Sequence, residues 1–217
     1  MKLIIKVVPP PLLQPYSNKV SASYLDMDED VRDELKLALL NEQGWICGYC
    51  QQKITKENMQ IEHFCERSIC NGKDGTTDKQ LTYANLMAVC SGKPGNSTLN
   101  CDSKKATFTK DGGLPMNVSP WIIAHTSGIQ YHSTGLINST NVSHKEEIIS
   151  ILNLNIDYLK DARKKRRIDI YSNSKIKTGD VNIDKMRRLL LKKCEKAGNK
   201  YSEPFPGLYE YMQNKFC

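Results

Sequence analysis

Six of the eight cysteines fall between Cys47 and Cys101, leaving only Cys194 and Cys217 elsewhere. Clustered thiols mark a site, whereas scattered ones usually mark packing, so this spacing constrains the fold more than any other feature. What the cluster means depends on the redox compartment. The start, "MKLIIKVVPPPLL", is broken by prolines and no small-residue cleavage site follows, so it does not read as a signal peptide. The apolar runs are too short to cross a bilayer. The expected location is therefore cytoplasmic, with no membrane contact, and there clustered cysteines are expected to bind metal in preference to forming disulfides.

Within the cluster, "CGYC" (Cys47 and Cys50) is either half of a zinc knuckle or a redox pair. A redox pair opens a helix after a strand; this one follows a predicted helix and Gly44, and a second pair lies downstream, which favours metal. Cys90 and Cys101 complete the set across a Gly-, Pro-, Asn- and Ser-rich loop, and four thiolates give a closed tetrahedral Zn²⁺ site. Such a site stabilises a segment with little core of its own. Cys65 and Cys70 compete for membership.

Around this frame the chain divides into an N-terminal arm and helix (1–44), the cysteine-rich segment (45–110), and linker strands with a helical region (111–217). Prolines 9, 10, 11 and 15 predict an extended arm over 1–25. A helix is expected over 28–43, with Asp28 as N-cap and Gly44 as its stop. "GIQYHSTGLI" reads as short strands, and the last third as helices. In the segment "DVNIDKMRRLLLKKCEKAG", Asp180 is the expected cap, Ile183, Met186, Leu190 and Cys194 the buried stripe, and Gly198 the end. The fold class is thus α+β. Charge follows the same division. Residues 1–144 are neutral, with 14 Lys+Arg and 14 Asp+Glu, while residues 145–217 hold 17 and 10, the whole net charge of +7. A basic C-terminal third fits contact with a polyanion, or simply a solvated helix surface. The "RKKRR" run (Arg163, Lys164, Lys165, Arg166, Arg167) is its densest part and a candidate backbone clamp.

The order CxxC, then "IEHF", then "YANLMAVC", then "CDSKKA" resembles the HNH endonuclease (ββα-metal) family over residues 45–108. The resemblance implies a zinc-stapled ββα-metal core. His63 would be the general base, and Glu62 and Asp102 ligands of a catalytic Mg²⁺ or Mn²⁺. Asn85 would hold the loop bearing His63. Lys105, one turn after Asp102, is either a phosphate contact or an exposed lysine. The chemistry suits these residue types: phosphodiester hydrolysis needs an activated water and a cation to offset phosphate charge, and histidine accepts protons near neutral pH. His125, His132 and His144 lie outside the motif and read as structural or surface residues.

The flanking "LTYANLMAVCSG", "HSTGLI" and "LNLNIDYLKDAR" are similar to the PtuB-type HNH nucleases of Septu and retron-associated antiphage systems. That resemblance implies a defence role, a PtuA-like ABC/SMC-type ATPase partner and a retron RNA/DNA complex. Cys65 stands where those relatives commonly carry Arg, which would weaken substrate contact or shift it to Arg67. The expected activity is nicking of DNA. The alternatives are RNA (tRNA) cleavage at the same site and a non-catalytic zinc-ribbon module that binds nucleic acid.

Overall fold

The computed structural model describes residues 1–73, 78–93, 98–110 and 116–216. Cys217, expected to be a free end, lies outside them, as do 94–97 of the Cys90–Cys101 loop and 111–115 of the linker. The described residues form a mixed α/β molecule, mostly helical, with three two-stranded antiparallel sheets.

The arm is not wholly extended: α1 (Leu13–Ser17) makes one turn despite its prolines. Pro15 stands in that first turn, where no intrahelical N–H bond is required. Next comes α2 (Glu29–Gln43), ended by Gly44 at φ +72°, a left-handed cap that suits glycine. Asp28 occupies its N-cap position but makes no side-chain cap bond, because its carboxylate pairs with Lys19 at 2.7 Å.

Val31, Leu35, Leu39 and Leu40 bury one face of α2, as their spacing dictates. At its end, Gln43 docks on a strand with strand-like bonds: Nε2 donates to the Ala88 carbonyl and Oε1 accepts from Ala88 N–H, both at 2.7 Å. That strand, β2 (Leu86–Cys90), pairs with β1 (Met59–His63), setting Glu62 opposite Met87 and His63 opposite Leu86. β2 is buried along almost its whole length, so the hairpin is a central layer. The helix α3 (Cys101–Lys110) follows and packs against β2.

Beyond it lie α4 (Ile123–Ser127), the β3 (Ile129–Tyr131) and β4 (Ile137–Ser139) hairpin, α5 (Val142–Glu146) and a π-helical turn over Glu147–Ile151. Three longer helices complete the chain: α6 (Asp157–Ser174), α7 (Ile183–Cys194) and α8 (Pro206–Phe216). Between α7 and α8, β5 (Lys196–Ala197) and β6 (Lys200–Tyr201) form a small hairpin. The expected Asp180 cap is replaced by Asn182, whose side chain accepts from Lys185 N–H, while Asp180 binds the Thr178 hydroxyl. α7 ends at Cys194, and Gly198 turns the hairpin instead. Met186 and Leu190 are buried as expected, Cys194 is half-buried and Ile183 is exposed.

Candidate functional site

The four sulfurs of Cys47, Cys50, Cys90 and Cys101 lie within 4.8 Å of one another. Cys47 and Cys101 are 3.9 Å apart and Cys50 and Cys90 3.7 Å. A tetrahedral ion with metal–sulfur bonds of about 2.3 Å separates its thiolates by about 3.8 Å, so the set can hold one metal ion. The long spacing between Cys90 and Cys101 closes because the loop returns on itself: Asn100 N–H donates to the Gly92 carbonyl at 2.9 Å. Only glycine fits there, since φ is +68° and a Cβ would meet the Asn100 carbonyl oxygen at 1.7 Å. Asn100 also donates from Nδ2 to the Cys101 sulfur at 3.1 Å, and Tyr158 donates to its Oδ1 at 3.2 Å.

Cys65 and Cys70 stand outside this set, joined to each other as a disulfide. The expectation that clustered cysteines bind metal in preference to pairing is therefore corrected for these two. They are five residues apart, on a loop that folds back through bonds from Ile69 and Cys70 N–H to the Glu66 carbonyl.

β1 delivers Glu62 and His63, and the N-terminal half of α3 delivers Asp102 and Lys105, to one cleft of about 420 Å³ that Arg67 and Tyr24 also line. Glu62 is 6% exposed; its Oε1 accepts from the Tyr49 hydroxyl at 2.9 Å and from Lys105 Nζ at 2.6 Å. Asp102 faces the same glutamate. Burial and that neighbouring carboxylate push the Asp102 carboxyl up to about 8. A buried carboxylate beside a half-buried one favours a cation between them, and hard oxygen donors suit a divalent ion.

Of the two readings of Lys105, the exposed lysine is corrected. It is 2% exposed, and its ammonium also donates to the carbonyls of His63 at 2.9 Å and Phe64 at 3.0 Å. Its position on α3, one turn after Asp102, points it at β1 and not at solvent.

His63 is also 6% exposed, and its Nε2 lies 2.9 Å from the Gln80 carbonyl. A carbonyl only accepts, so Nε2 carries the proton and Nδ1 keeps a free lone pair. Burial, together with the nearby Arg67 charge, holds His63 below the ordinary histidine value and therefore neutral at pH 7. Asn85 grips the loop after it: Oδ1 accepts from Cys65 N–H at 2.8 Å, while Nδ2 donates to the carbonyls of Cys65 at 2.9 Å and Lys79 at 3.2 Å. Three residues that the motif did not flag complete this environment, namely Tyr24, Tyr49 and Gln80. Only Tyr49 carries a signal, its place between two cysteines of the four-sulfur set.

The basic run on α6 does not act as a unit. Arg163 is 1% exposed and donates to the carbonyls of Gly135 at 2.7 Å and Leu154 at 2.6 Å, so it is a core cation and not part of a clamp. Arg166 pairs with Glu203 at 2.8 Å, and Arg167 lies over Tyr171. Lys164 and Lys165 are exposed. Arg67 is exposed at the mouth of the cleft.

Among the described residues, no helix is long and apolar enough to cross a membrane. No protein-family model matches the chain. It is 25% identical over 191 residues to "Retron Ec83 putative HNH endonuclease" of Escherichia coli, a match spanning 72% of each chain. It is 29% identical over 142 residues to "Retron Vc95 putative HNH endonuclease" of Vibrio cholerae serotype O1 biovar El Tor. That second match spans 63% of this chain and 62% of the relative, less than two thirds of its length. In the motif order of its sequence and in these two matches, the chain is similar to proteins named as HNH endonucleases.

Proposed function

We propose that the protein is a metal-dependent HNH endonuclease that hydrolyses phosphodiester bonds, with nicking of DNA as its activity. The observation that carries this reading is the convergence of Glu62, His63 and Asp102 in one cleft beside a four-cysteine set. In this reading residues 45–110 are the nuclease core. β1, β2 and α3 are its ββα-metal unit, Zn²⁺ staples the four cysteines, and 1–44 and 111–217 flank it.

Glu62 and Asp102 would hold Mg²⁺ or Mn²⁺, which supplies charge compensation at the phosphate and the leaving oxygen. His63 accepts the proton of the attacking water at Nδ1, its other nitrogen being held by the Gln80 carbonyl. Tyr49 and Lys105 keep the Glu62 carboxylate in place, and Asn85 keeps the His63 loop in place. Arg67, exposed beside the cleft, meets the nucleic-acid backbone.

The names of the two relatives support a retron setting, and with it a role in antiphage defence. The PtuB-like flanks extend this reading to an ATPase partner of the PtuA kind. The exposed Lys164 and Lys165 on α6 are then surface available to that partner or to nucleic acid.

The test is cleavage of supercoiled plasmid and of total cellular RNA, side by side, with Mg²⁺ and with Mn²⁺. Nicked plasmid is the expected product. Discrete RNA fragments with intact plasmid would move the activity to RNA. Binding without cleavage, unchanged in His63→Ala, would leave a zinc-ribbon module.

A further inference from the structure

Tyr24 belongs to the arm before α2, far in sequence from every motif residue, yet its ring meets His63. The two ring centroids are 4.5 Å apart with planes at 87°, an edge-to-face contact. The tyrosine is fastened through its backbone. Its N–H donates to Gln80 Oε1 at 3.0 Å and its carbonyl accepts from Arg32 Nη2 at 2.8 Å. Gln80 thus serves both rings: its side chain holds Tyr24, and its main-chain carbonyl holds His63 Nε2. Gln80 is itself held by Asp78, which accepts from Gln80 N–H and Nε2, each at 2.9 Å.

We propose that Tyr24 is a positioning residue for His63, an aromatic clamp donated by the N-terminal arm that fixes the imidazole plane and carries Arg67 at the cleft mouth. This rests on the reading of His63 as the base. One hydrogen bond at Nε2 leaves the imidazole free to pivot about that bond, which swings Nδ1 away from the water it must deprotonate. An edge-to-face ring removes that freedom without offering a competing polar group. The same ring is flanked by cations: the Arg32 guanidinium carbon lies 5.0 Å from its centroid and that of Arg67 4.9 Å. Arg32 is tied to the arm backbone, so Tyr24 is anchored on that side. Arg67 is exposed, so a cation is presented beside the base.

The backbone of Tyr24 makes two hydrogen bonds and its hydroxyl also interacts with Arg32. The contact with His63 is made by the ring, which is therefore the part the proposal rests on. That separates the proposal from a purely structural role and sets the variants: Tyr24→Phe keeps the ring, Tyr24→Leu removes it and keeps apolar bulk.

The experiment measures steady-state plasmid cleavage by wild type, Tyr24→Phe, Tyr24→Leu and His63→Ala, each with zinc content and melting temperature verified. In parallel, NMR follows the His63 Nε2 proton and its exchange with water. Tyr24→Phe should match wild type in both. Tyr24→Leu should lose about 10- to 100-fold in kcat with little change in KM, and its His63 proton should exchange faster. Wild-type kcat and an unchanged His63 signal in Tyr24→Leu would overturn the clamp, as would equal losses in the Phe and Leu variants. If even the wild type cleaves nothing, the hydrolytic reading of His63 is what fails, and the NMR comparison still decides whether Tyr24 orders that ring.

Discussion

Replacing Lys105 with methionine isolates one charge. The stem keeps its length and nearly its volume, so little cavity forms; the ammonium alone disappears. That ammonium sits 2.6 Å from Glu62 Oε1 and within 3.0 Å of two carbonyl oxygens. Glu62 would be left with the Tyr49 hydroxyl as donor and the Asp102 carboxyl as neighbour. Breaking a buried pair by removing one partner costs about 3–5 kcal/mol. The lower figure applies here, because Tyr49 still donates to the orphaned carboxylate. In a chain of 217 residues, about 3 kcal/mol lowers Tm by roughly 6–12 °C. Scanning calorimetry of the zinc-loaded protein without other divalent ions measures it. Saturating Mn²⁺ should recover part of the loss, since a bound cation stabilises the same carboxylates. The double variant with Glu62→Gln should be less destabilised than the two single losses added together. A Tm within about 2 °C of wild type, without Mn²⁺, would refute the assignment of Lys105 as the cation that holds Glu62.

Other consequences follow from the same geometry. Replacing Cys65 and Cys70 with serine opens a short loop and should cost about 2 kcal/mol in the chain-entropy account, read as a lower Tm that a reducing agent mimics in wild type. Asn85→Ala removes three side-chain bonds to the backbone; plasmid cleavage should fall about 100-fold as the His63 loop shifts, with zinc content unchanged. Chelation of the four-cysteine metal should lower the thermal midpoint and abolish cleavage together, because Tyr49 lies between two of its ligands and touches Glu62. Burial and the adjacent His125 hold His144 below the ordinary histidine value of 6.5, with Glu147 acting the other way. The unfolded chain then binds the proton more readily, so this contribution is whole above pH 6.5 and is lost as pH falls through it. His144→Gln should flatten the stability profile between about pH 7 and 5, as followed by urea denaturation.

The sequence made some of this legible because the relevant forces are local. Metal ligands must come from a few residue types, so Cys47, Cys50, Cys90 and Cys101 stand out, and Gly92 between the last two lets Asn100 close back on it. The apolar stripe and Gly44 fixed α2 to within a residue. What was not legible depended on which way a charge faces. Lys105 and Arg163 read as surface cations, yet both are buried. For Arg163 a signal was present: it lies one turn after Leu159 and two turns before Ile170, on the buried stripe of α6. The surrounding lysines and arginines masked that period. Tyr24 carried no signal, since its contact with His63 is set by how the arm crosses the hairpin and no local pattern encodes it. In the sequence Cys65 and Cys70 read as competitors for the metal, and the expected reducing compartment argues against the bridge that they form.

The central claim is that the Glu62–His63–Asp102 cleft is a hydrolytic centre. Its most direct test is the nicking rate of supercoiled plasmid at saturating Mn²⁺, for wild type and for His63→Ala of equal zinc content and Tm. The account predicts nicked circles with the wild type and a rate at least about 100-fold lower without the imidazole. Equal rates from the two proteins would contradict it and place the chemistry elsewhere.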